Sequence, residues 1–364
     1  MREEAARRRN KELISHLEES GVLTDPAVAA AFRAVHRHHF LPGRRLSYVY
    51  EDTAIPTKRD DQGTATSSSS QPAIMALMLQ QLALQPGQRV LEIGAGTGYN
   101  AALIANVVGS EGLVCTLEID EEVSRQARAN LAAAGVQGVQ VMHADGAAGW
   151  PAEAPFDRII VTASVDDLAM AWLDQLPDGG HLVAPLALAG PMQLCTAFVK
   201  DGRALISESL SGCGFLPLRG EMAFQSSSDP AESARDSLAL PGRPTWQSIP
   251  PADVRGGFEV WLGLAERGYI RLRLRPEDPP VFGLAEGGGV ALAVPERDGL
   301  WIYAYGEAEA ATARLTAAHR QWAERRPRPQ DLRIVALPTG QEAPANPGQL
   351  VFHRARFDFL VSQP

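Results

Sequence analysis

Residues 89 to 187 alternate short apolar runs with amphipathic stretches, and this alternation constrains the fold more than any other feature of the chain. The apolar runs lack the polar alternation of a half-exposed strand, so each predicts a strand buried on both faces: RVLEIG, LVCTLEI, VQVMHA, FDRIIVTA and HLVAPLA. Helical patterns occur between several of them: YNAALIANVV, EEVSRQARANLAAAG and DLAMAWLDQL. Strands that alternate with helices form βαβ units, so the sequence predicts a doubly wound α/β domain with a parallel sheet.

The segment before this domain is predicted to be mostly helical. Residues 1–40 are interpreted as helices, the second beginning at Asp25-Pro26, because aspartate caps helices and proline suits the first helical position. Residues 41–72 are predicted to form a loop, since they contain turn formers such as Asp60-Asp61-Gln62-Gly63. A further helix is predicted from Ile74 to Leu84.

The composition changes near residue 224, where a stretch rich in Ser, Pro and Asp begins. We predict a first domain over residues 1–223, with a helical N-terminal part over 1–85, then a linker over 224–251 and an α+β domain over 252–364. Strands of the last part are predicted at FEVWLGL, YIRLRLR, VALAVP, LWIYAY, LRIVAL and FDFLV. Its one clear helix carries apolar residues at spacings of 3 and 4: Ala308, Ala311, Leu315, Ala318 and Trp322.

Composition argues against several classes of protein. The formal net charge of −9 disfavours a nucleic-acid-binding protein, and the lack of long apolar runs predicts no membrane span. The charged N-terminus is not that of a secretory signal. Cys115, Cys195 and Cys213 are too widely spaced for a disulfide framework or zinc site, so a reduced, cytoplasmic protein is expected. No metal site is predicted, and His38 and His39 are interpreted as caps or packing residues.

A glycine-rich turn follows the first predicted strand of the α/β domain. Its sequence, Glu92-Ile93-Gly94-Ala95-Gly96-Thr97-Gly98, lets the backbone approach a ligand closely. The GxGxG spacing and the preceding acid favour a nucleoside without pyrophosphate over a dinucleotide. Glu118 ends the second strand, where a carboxylate can accept both ribose hydroxyls, and Asp145 follows the third, where it can accept from an adenine amino group. These three strand ends together predict S-adenosyl-L-methionine (SAM) as cofactor.

The chain from Ala31 to Leu218 resembles the protein-L-isoaspartate O-methyltransferases. The matching segments are AFRAVHRHHFLP, SSSSQPAIMALMLQQLALQPGQRVLEIGAGTGYNAALIA, HADGAAGWPAEAPFDRIIVTAS, LPDGGHLVAPLA and GFLPLRG. The resemblance implies a Rossmann-like class I SAM-dependent methyltransferase domain with a C-terminal α+β extension. It also implies methylation of a peptide carboxylate, with S-adenosyl-L-homocysteine as the product of the cofactor.

The resemblance assigns roles to residues at three kinds of position. Ser70 is expected to orient the substrate carboxyl, and Ser68 supplies another hydroxyl. Substrate contacts are expected from Ser67, Ser69, Gln71, Lys58 and Arg59; the two basic residues either pair with an acidic peptide or are solvated loop charges. Cofactor contacts are expected from Glu92, Gly94, Ala95, Gly96, Thr97, Gly98, Glu118, Ile119, Asp145, Gly146 and Thr162.

Two departures from the family pattern suggest a specialised branch. The stretch PTKRDDQGTATSSSS is about six residues longer than the substrate loop of repair enzymes, and the chain continues for about 140 residues beyond the domain. Both features resemble the branch associated with ribosomally made, modified peptides of the lanthipeptide and graspetide kinds. We therefore expect a cyclised precursor peptide as partner, with an aspartate methylated and its ester collapsing to an aspartimide or isoaspartate.

Three alternatives remain open at this point. The first is repair of isoaspartyl residues in damaged proteins, which is the same chemistry on another substrate. The second is nucleic-acid methylation, but the Asp278-Pro279-Pro280 sequence lies in the C-terminal part and is interpreted as a turn. The third is a non-catalytic peptide-binding module, which the intact glycine turn, Glu118 and Asp145 disfavour.

Overall fold

The computed structural model describes residues 2–190, 192–223, 243–247, 257–274, 280–296, 299–341 and 349–362. The chain divides into two compact units. The first comprises Met1–Pro185, Cys195–Glu208 and Cys213–Ala223; the second comprises Leu186–Leu194, Ser209–Gly212 and Phe224–Pro364.

The helices are α1 (Arg2–Glu19), α2 (Pro26–Ala34), α3 (Leu46–Val49), α4 (Pro72–Gln81), α5 (Tyr99–Val108), α6 (Glu121–Ala133), α7 (Met170–Asp174), α8 (Glu259–Ala265) and α9 (Glu309–Arg325). The strands up to the end of the first unit are β1 (Ile55–Arg59), β2 (Ala65–Ser69), β3 (Arg89–Ile93), β4 (Leu113–Glu118), β5 (Val139–His143), β6 (Arg158–Val161), β7 (His181–Ala189), β8 (Met192–Asp201) and β9 (Ala204–Cys213). The later strands are β10 (Arg243–Gln247), β11 (Tyr269–Leu272), β12 (Val281–Glu286), β13 (Gly289–Glu296), β14 (Gly299–Tyr305), β15 (Arg333–Pro338), β16 (Leu350–His353) and β17 (Phe357–Ser362).

The predicted α/β domain is confirmed as a Rossmann-like fold. Its sheet has the order β5-β4-β3-β6-β7-β8-β9. The strands from β5 to β7 are parallel neighbours, and the central β3 and β6 are almost wholly buried, as their apolar runs predicted. The strands β8 and β9 were not predicted from the sequence.

The N-terminal helices pack on the domain through their apolar faces. The helix α2 begins where the sequence predicted, because the Asp25 carboxylate accepts hydrogen bonds from the backbone N–H groups of Ala27 and Val28. Phe32 on this helix is fully buried and meets the ring of Tyr99 edge-on. The helix therefore continues the core of the α/β domain.

The prediction of a loop over residues 41–72 was wrong, because β1 and β2 form an antiparallel hairpin there. The turn formers at Asp60 to Gly63 make its tip, where the Asp60 carboxylate accepts from the N–H groups of Gln62 and Thr64. The second strand has the sequence Ala-Thr-Ser-Ser-Ser. Because it contains almost no apolar residues, the alternation of apolar and polar positions that indicates a strand is not visible in the sequence.

The second unit contains a five-stranded antiparallel sheet in the order β10-β14-β13-β12-β11 and an antiparallel set β15-β17-β16. The helix α9 packs on β12 and β13 with the predicted apolar face, in which Ala311, Leu315, Ala318 and Trp322 are buried. The segment FEVWLGL, predicted as a strand, forms α8 instead, because so short an apolar run does not distinguish strand from helix.

Part of the predicted linker is also a strand. Residues 243–247 form β10, which pairs with β14, whereas residues 224–242 and 248–251 lie outside the described part of the chain. Asp278 and Pro279, interpreted above as a turn, also lie outside it. Within the described residues, no helix combines the length and the apolar character that crossing a membrane requires. The three cysteines are free thiols.

Candidate functional site

Three adjacent parallel strands end at one edge of the sheet, and each carries an acidic residue there. The register pairs Ile93 with Leu117 and Glu118 with His143, so β3, β4 and β5 end at the same level. The glycine turn (residues 94–98), Glu118 and Asp145 therefore share this edge, where open α/β sheets bind their ligands.

The glycine turn requires residues without side chains at two positions. Gly94 has a φ of 100°, and a Cβ there would lie 2.5 Å from the Thr162 hydroxyl oxygen. That hydroxyl donates to the Gly94 carbonyl oxygen at 2.7 Å, so Thr162 holds the turn from the neighbouring strand. Gly96 has a φ of 51°, and a Cβ there would lie 3.2 Å from the Ser68 carbonyl oxygen of the β1–β2 hairpin. The hairpin thus approaches the turn closely.

Glu118 is largely buried beside this turn. Its carboxylate accepts hydrogen bonds from the N–H groups of Gly96 at 3.0 Å and Asp120 at 3.1 Å. Each carboxylate oxygen can accept more than one hydrogen bond, so both remain acceptors for a diol. The Arg219 guanidinium lies 3.7 Å from Glu118 and 3.8 Å from Asp120.

Asp145 is held by two backbone donors. Its Oδ1 accepts from the Ala147 N–H at 2.9 Å, and its Oδ2 accepts from the Glu221 N–H at 2.7 Å. The second donor belongs to a segment, residues 214–221, that also pairs with Ser164 at the end of β6. This segment was quoted only as part of the family resemblance, and the sequence did not indicate that it reaches Asp145.

The other predicted cofactor residues lie around the same edge. Ala95, Thr97 and Gly146 are buried, and the Thr97 carbonyl accepts a hydrogen bond from the Asn130 side chain. Ile119 is half-buried, next to the backbone of Gly220. Gly98 has a φ of 83° and lies against α6. Their direct contact with a cofactor remains a prediction.

Glu92 lies beneath the turn rather than at its surface. It is fully buried, its Oε1 accepts from the Asn100 amide at 2.8 Å, and its Oε2 accepts from the Thr116 hydroxyl at 2.6 Å. Burial raises the pKa of Glu92 to about 7, although these two hydrogen bonds act in the opposite direction. The carboxylate of Glu92 is thus occupied by Asn100 and Thr116, and its direct contact with the cofactor remains a prediction.

The four serines of residues 67–70 divide into two pairs. Ser67 and Ser69 are buried: Ser67 accepts from the Thr57 hydroxyl at 3.1 Å, and Ser69 accepts from the Arg37 guanidinium. Ser68 and Ser70 are half-buried, and neither hydroxyl has a hydrogen bond within the described part of the chain. Because successive residues of a strand point to opposite faces, the first pair belongs to the framework and the second is available to a ligand.

The sequence interpretation missed Arg37, which organises the backbone around the serines. This side chain is fully buried in the 3-10 turn Arg37–Phe40. Its guanidinium donates to backbone carbonyl oxygens from two stretches of the chain, 49–53 and 69–70: Val49, Glu51, Thr53, Ser69 and Ser70. The one available signal was an arginine between the apolar Val35 and Phe40.

Lys58 is paired within the chain. Its ammonium lies 2.8 Å from the Asp120 carboxylate and 3.0 Å from that of Glu122. Burial alone would raise the pKa of Asp120, but hydrogen bonds from Lys58 and from the Val123 N–H outweigh it and lower the pKa. The β1–β2 hairpin is thereby tied to the turn after Glu118.

The remaining predicted substrate residues also have partners in the chain. Arg59 donates to the Gly63 carbonyl at 2.6 Å at the hairpin tip. Gln71 donates to the Asp52 carboxylate at 2.8 Å, and the same carboxylate accepts from the Ala73 N–H at the start of α4. Substrate contact by Lys58, Arg59 and Gln71 therefore remains a prediction.

The arrangement suits a nucleoside beside a small anion. At Gly94 and Gly96 the turn leaves space that a Cβ would fill, so a ligand can approach its backbone. A largely buried carboxylate, Glu118, and a second one, Asp145, lie at the same edge of the sheet. The hydroxyls of Ser68 and Ser70, which have no hydrogen bond among the described residues, can donate to a carboxylate. These residues would hold SAM between the glycine turn and β4.

Comparison with known proteins agrees with this geometry. The family model described as protein-L-isoaspartate(D-aspartate) O-methyltransferase matches residues 8–223. A protein-L-isoaspartate O-methyltransferase from Methanoculleus marisnigri is 35% identical over 230 residues, which cover 63% of this chain and all of that protein. One from Thermotoga maritima is 41% identical over 162 residues, covering 44% of this chain and 50% of that protein.

Two solved structures are similar as well. A protein-L-isoaspartate O-methyltransferase with a TM-score of 0.55 is 29% identical and covers 90% of this chain and 96% of its own. A beta-aspartate methyltransferase from Plasmodium falciparum, in complex with S-adenosyl-L-homocysteine, has a TM-score of 0.51, is 22% identical, and covers 58% of this chain and 98% of its own. The chain belongs to the protein-L-isoaspartate(D-aspartate) O-methyltransferase family, a SAM-dependent group of protein carboxyl methyltransferases.

Proposed function

We propose that the protein methylates the free carboxylate of isoaspartyl residues in damaged proteins, with SAM as methyl donor. The relatives named above carry the name of this activity and support it. The observation that carries the proposal is the division of the serines. Within the described residues the Ser68 and Ser70 hydroxyls have no hydrogen bond, and Ser68 lies beside the glycine turn, whereas Ser67 and Ser69 are held in the framework.

The reaction requires alignment rather than acid–base catalysis. A carboxylate is ionised at neutral pH, so no general base is needed. Bound SAM supplies a methyl group on a cationic sulfur, which leaves as a neutral thioether. With SAM bound, a carboxylate oxygen of the substrate would take the methyl group from the sulfur, and no residue of this chain would have to move a proton. Because opposite charges disappear, a water-poor site favours the step.

The residues of the chain then have separate tasks. Ser70 donates to the carboxylate oxygen that does not react, and Ser68 provides a second donor beside the glycine turn. Arg37 fixes the backbone carbonyls of Ser69 and Ser70, so both hydroxyls are presented from a rigid segment. Such positioning contributes to the rate by holding the reacting oxygen in line.

On the cofactor side, Glu118 accepts from the ribose hydroxyls and Asp145 from the adenine amino group. Both carboxylates are already fixed by backbone N–H donors, which orients them before the cofactor binds. Thr162 holds the Gly94 carbonyl oxygen of the glycine turn, and Glu92 accepts from Thr116 on the neighbouring strand β4.

The branch that modifies ribosomal peptides, our first expectation from the sequence, is less well supported. It rested partly on the C-terminal extension. However, the solved protein-L-isoaspartate O-methyltransferase described above aligns over 90% of this chain, so an extended chain also occurs under the repair enzyme's name. Aspartimide formation and a cyclised precursor peptide remain predictions that rest on the composition of the hairpin.

The test compares peptides and variants in one methyl-transfer assay. We expect turnover of an isoaspartyl peptide and little turnover of the matched aspartyl peptide or of a cyclised aspartyl peptide. Ser70→Ala should lower kcat/KM about 10- to 100-fold, since a hydrogen bond to a charged group contributes about 1.5–3 kcal/mol. Ser110→Ala, an exposed hydroxyl at the opposite edge of the sheet, is the matched control. Preference for the cyclised aspartyl peptide would overturn the repair function.

The role of the second unit is a further proposal, namely contact with the substrate protein. Deleting residues 226–364 would not test it cleanly, because Leu186–Leu194 and Ser209–Gly212 also belong to that unit. Exposed apolar residues offer a gentler test. Leu274→Ser and Val351→Ser should raise KM for a folded isoaspartyl protein while leaving KM for a short peptide unchanged.

A further inference from the structure

Three histidines meet at the junction of α2 and the 3-10 turn Arg37–Phe40. Their candidate ligand nitrogens, on His36, His38 and His39, all lie within 4.8 Å of one another. The rings of His38 and His39 have centroids 4.1 Å apart. From the amino-acid sequence His38 and His39 were interpreted as caps or packing residues, and the mechanism proposed above uses none of the three histidines.

A carboxylate from α1 completes the cluster. Glu3 Oε1 lies 3.6 Å from His36 Nδ1, and Glu3 Oε2 lies 3.3 Å from His38 Nε2. In a tetrahedral zinc site with bonds of about 2.0–2.1 Å, neighbouring ligand atoms are about 3.3–3.4 Å apart. The contacts of Glu3 with two of the histidines are close to this separation.

One of the histidines also has an outer partner of the kind that metal sites use. The Nδ1 of His38 lies 2.8 Å from the hydroxyl of Tyr50. Such a hydrogen bond leaves Nε2 of His38, the nitrogen beside Glu3, as the ligand atom.

We propose that His36, His38, His39 and Glu3 form a binding site for one Zn²⁺ ion. Three imidazoles and one carboxylate are a donor set that zinc accepts, and all four positions are filled by side chains of this chain. A closed set of this kind is typical of a structural rather than a catalytic zinc ion.

The site would stabilise the β1–β2 hairpin through Arg37. This arginine lies between the proposed ligands His36 and His38, and its guanidinium holds the carbonyls of Ser69 and Ser70. A bound ion would fix the first turn of α1 to the segment that carries Arg37. Zinc would therefore stabilise the framework that presents the Ser68 and Ser70 hydroxyls.

The experiment titrates Zn²⁺ into chelator-treated full-length protein that carries no polyhistidine tag. We expect one equivalent to bind, with a rise in Tm. Co²⁺ should give the intense visible absorption of a four-coordinate site, which weakly bound surface ions do not show. His39→Asn alters the exposed ligand and is the variant least disturbing to the core. It should weaken Zn²⁺ binding by at least about 10- to 100-fold, which is the loss typical when a residue that is only hydrogen-bonded to a metal ligand is replaced.

Two further variants separate a built site from a surface cluster. Tyr50→Phe should weaken binding about 10- to 100-fold while the protein stays folded by circular dichroism. His16→Ala, an exposed histidine elsewhere on α1, should leave the affinity unchanged. Equal Zn²⁺ affinity in the wild type and in His39→Asn, or the absence of the Co²⁺ spectrum, would overturn the proposal. Neither outcome bears on methyl transfer, so this test stands apart from that of the proposed function.

Discussion

Glu92 should make the stability of the first unit depend on pH in an unusual direction. Its carboxyl group is fully buried under the glycine turn, and burial raises its pKa from an ordinary value of 4.5 to about 7. Between these two pH values the folded protein binds a proton that the unfolded chain has lost. By linkage, the free energy of unfolding therefore falls as pH rises from about 4.5 through 7, and it is flat above that range.

The magnitude follows from the shift in pKa. Each pH unit of difference corresponds to about 1.4 kcal/mol, so ionising Glu92 in place costs roughly 3 kcal/mol above pH 7. Glu92→Gln removes the ionisable group and keeps the shape. Its amide oxygen can accept from Asn100, and its NH₂ can donate to the Thr116 hydroxyl oxygen. The variant should thus gain stability relative to the wild type as pH rises.

Urea unfolding of the full-length chain at several pH values between 4.5 and 8 measures this directly. The stability difference between Glu92→Gln and the wild type should shift by up to roughly 3 kcal/mol across the series in favour of the variant. Glu111→Gln, at an exposed loop position before β4, is the matched control and should show no such trend. A stability difference for Glu92→Gln that stays constant with pH would refute the assignment of a raised pKa to this carboxyl group.

Three further predictions concern the framework of the site. Gly94→Ala places a Cβ 2.5 Å from the Thr162 hydroxyl at a φ of 100°, so calorimetry should show SAM affinity at least about tenfold weaker. Arg37→Met leaves five carbonyl groups without their charged donor and should lower the free energy of unfolding by about 3 kcal/mol or more; unchanged urea unfolding would contradict this. Lys58→Met removes the tie to Asp120 and should raise KM for the isoaspartyl peptide several-fold with little change in the unfolding midpoint, and high salt should mimic it in the wild type.

The parts of the fold that could be predicted were those in which burial leaves a pattern in the sequence. The strands β3 and β6 are apolar on both faces, and α9 shows its buried stripe at regular spacing. The β1–β2 hairpin left no such pattern, because Ser67 and Ser69 are buried through hydrogen bonds rather than through apolar contact. Polar burial of this kind cannot be seen in a hydropathy profile.

The same distinction applies to the site. Glu118 and Asp145 could be placed from the sequence, because parallel strands end at a common edge. The hydrogen bonds of Glu92 could not, since its partners Asn100 and Thr116 lie 8 and 24 residues away in the sequence. Arg37 was missed because its partners are backbone carbonyl groups 12 to 33 residues away, which leave no trace in side-chain identity.

The alternation of the serines limits how the hairpin can change during evolution. Residues can be added or removed at the tip, around Asp60 to Gly63, as long as the pairing of Ile55 with Ser69 is kept. A slip of one residue in that pairing would turn Ser68 inward and Ser69 outward, because the faces of a strand exchange at each step. The length of the tip can thus change without moving the serines, whereas a change of register would exchange the faces to which they point.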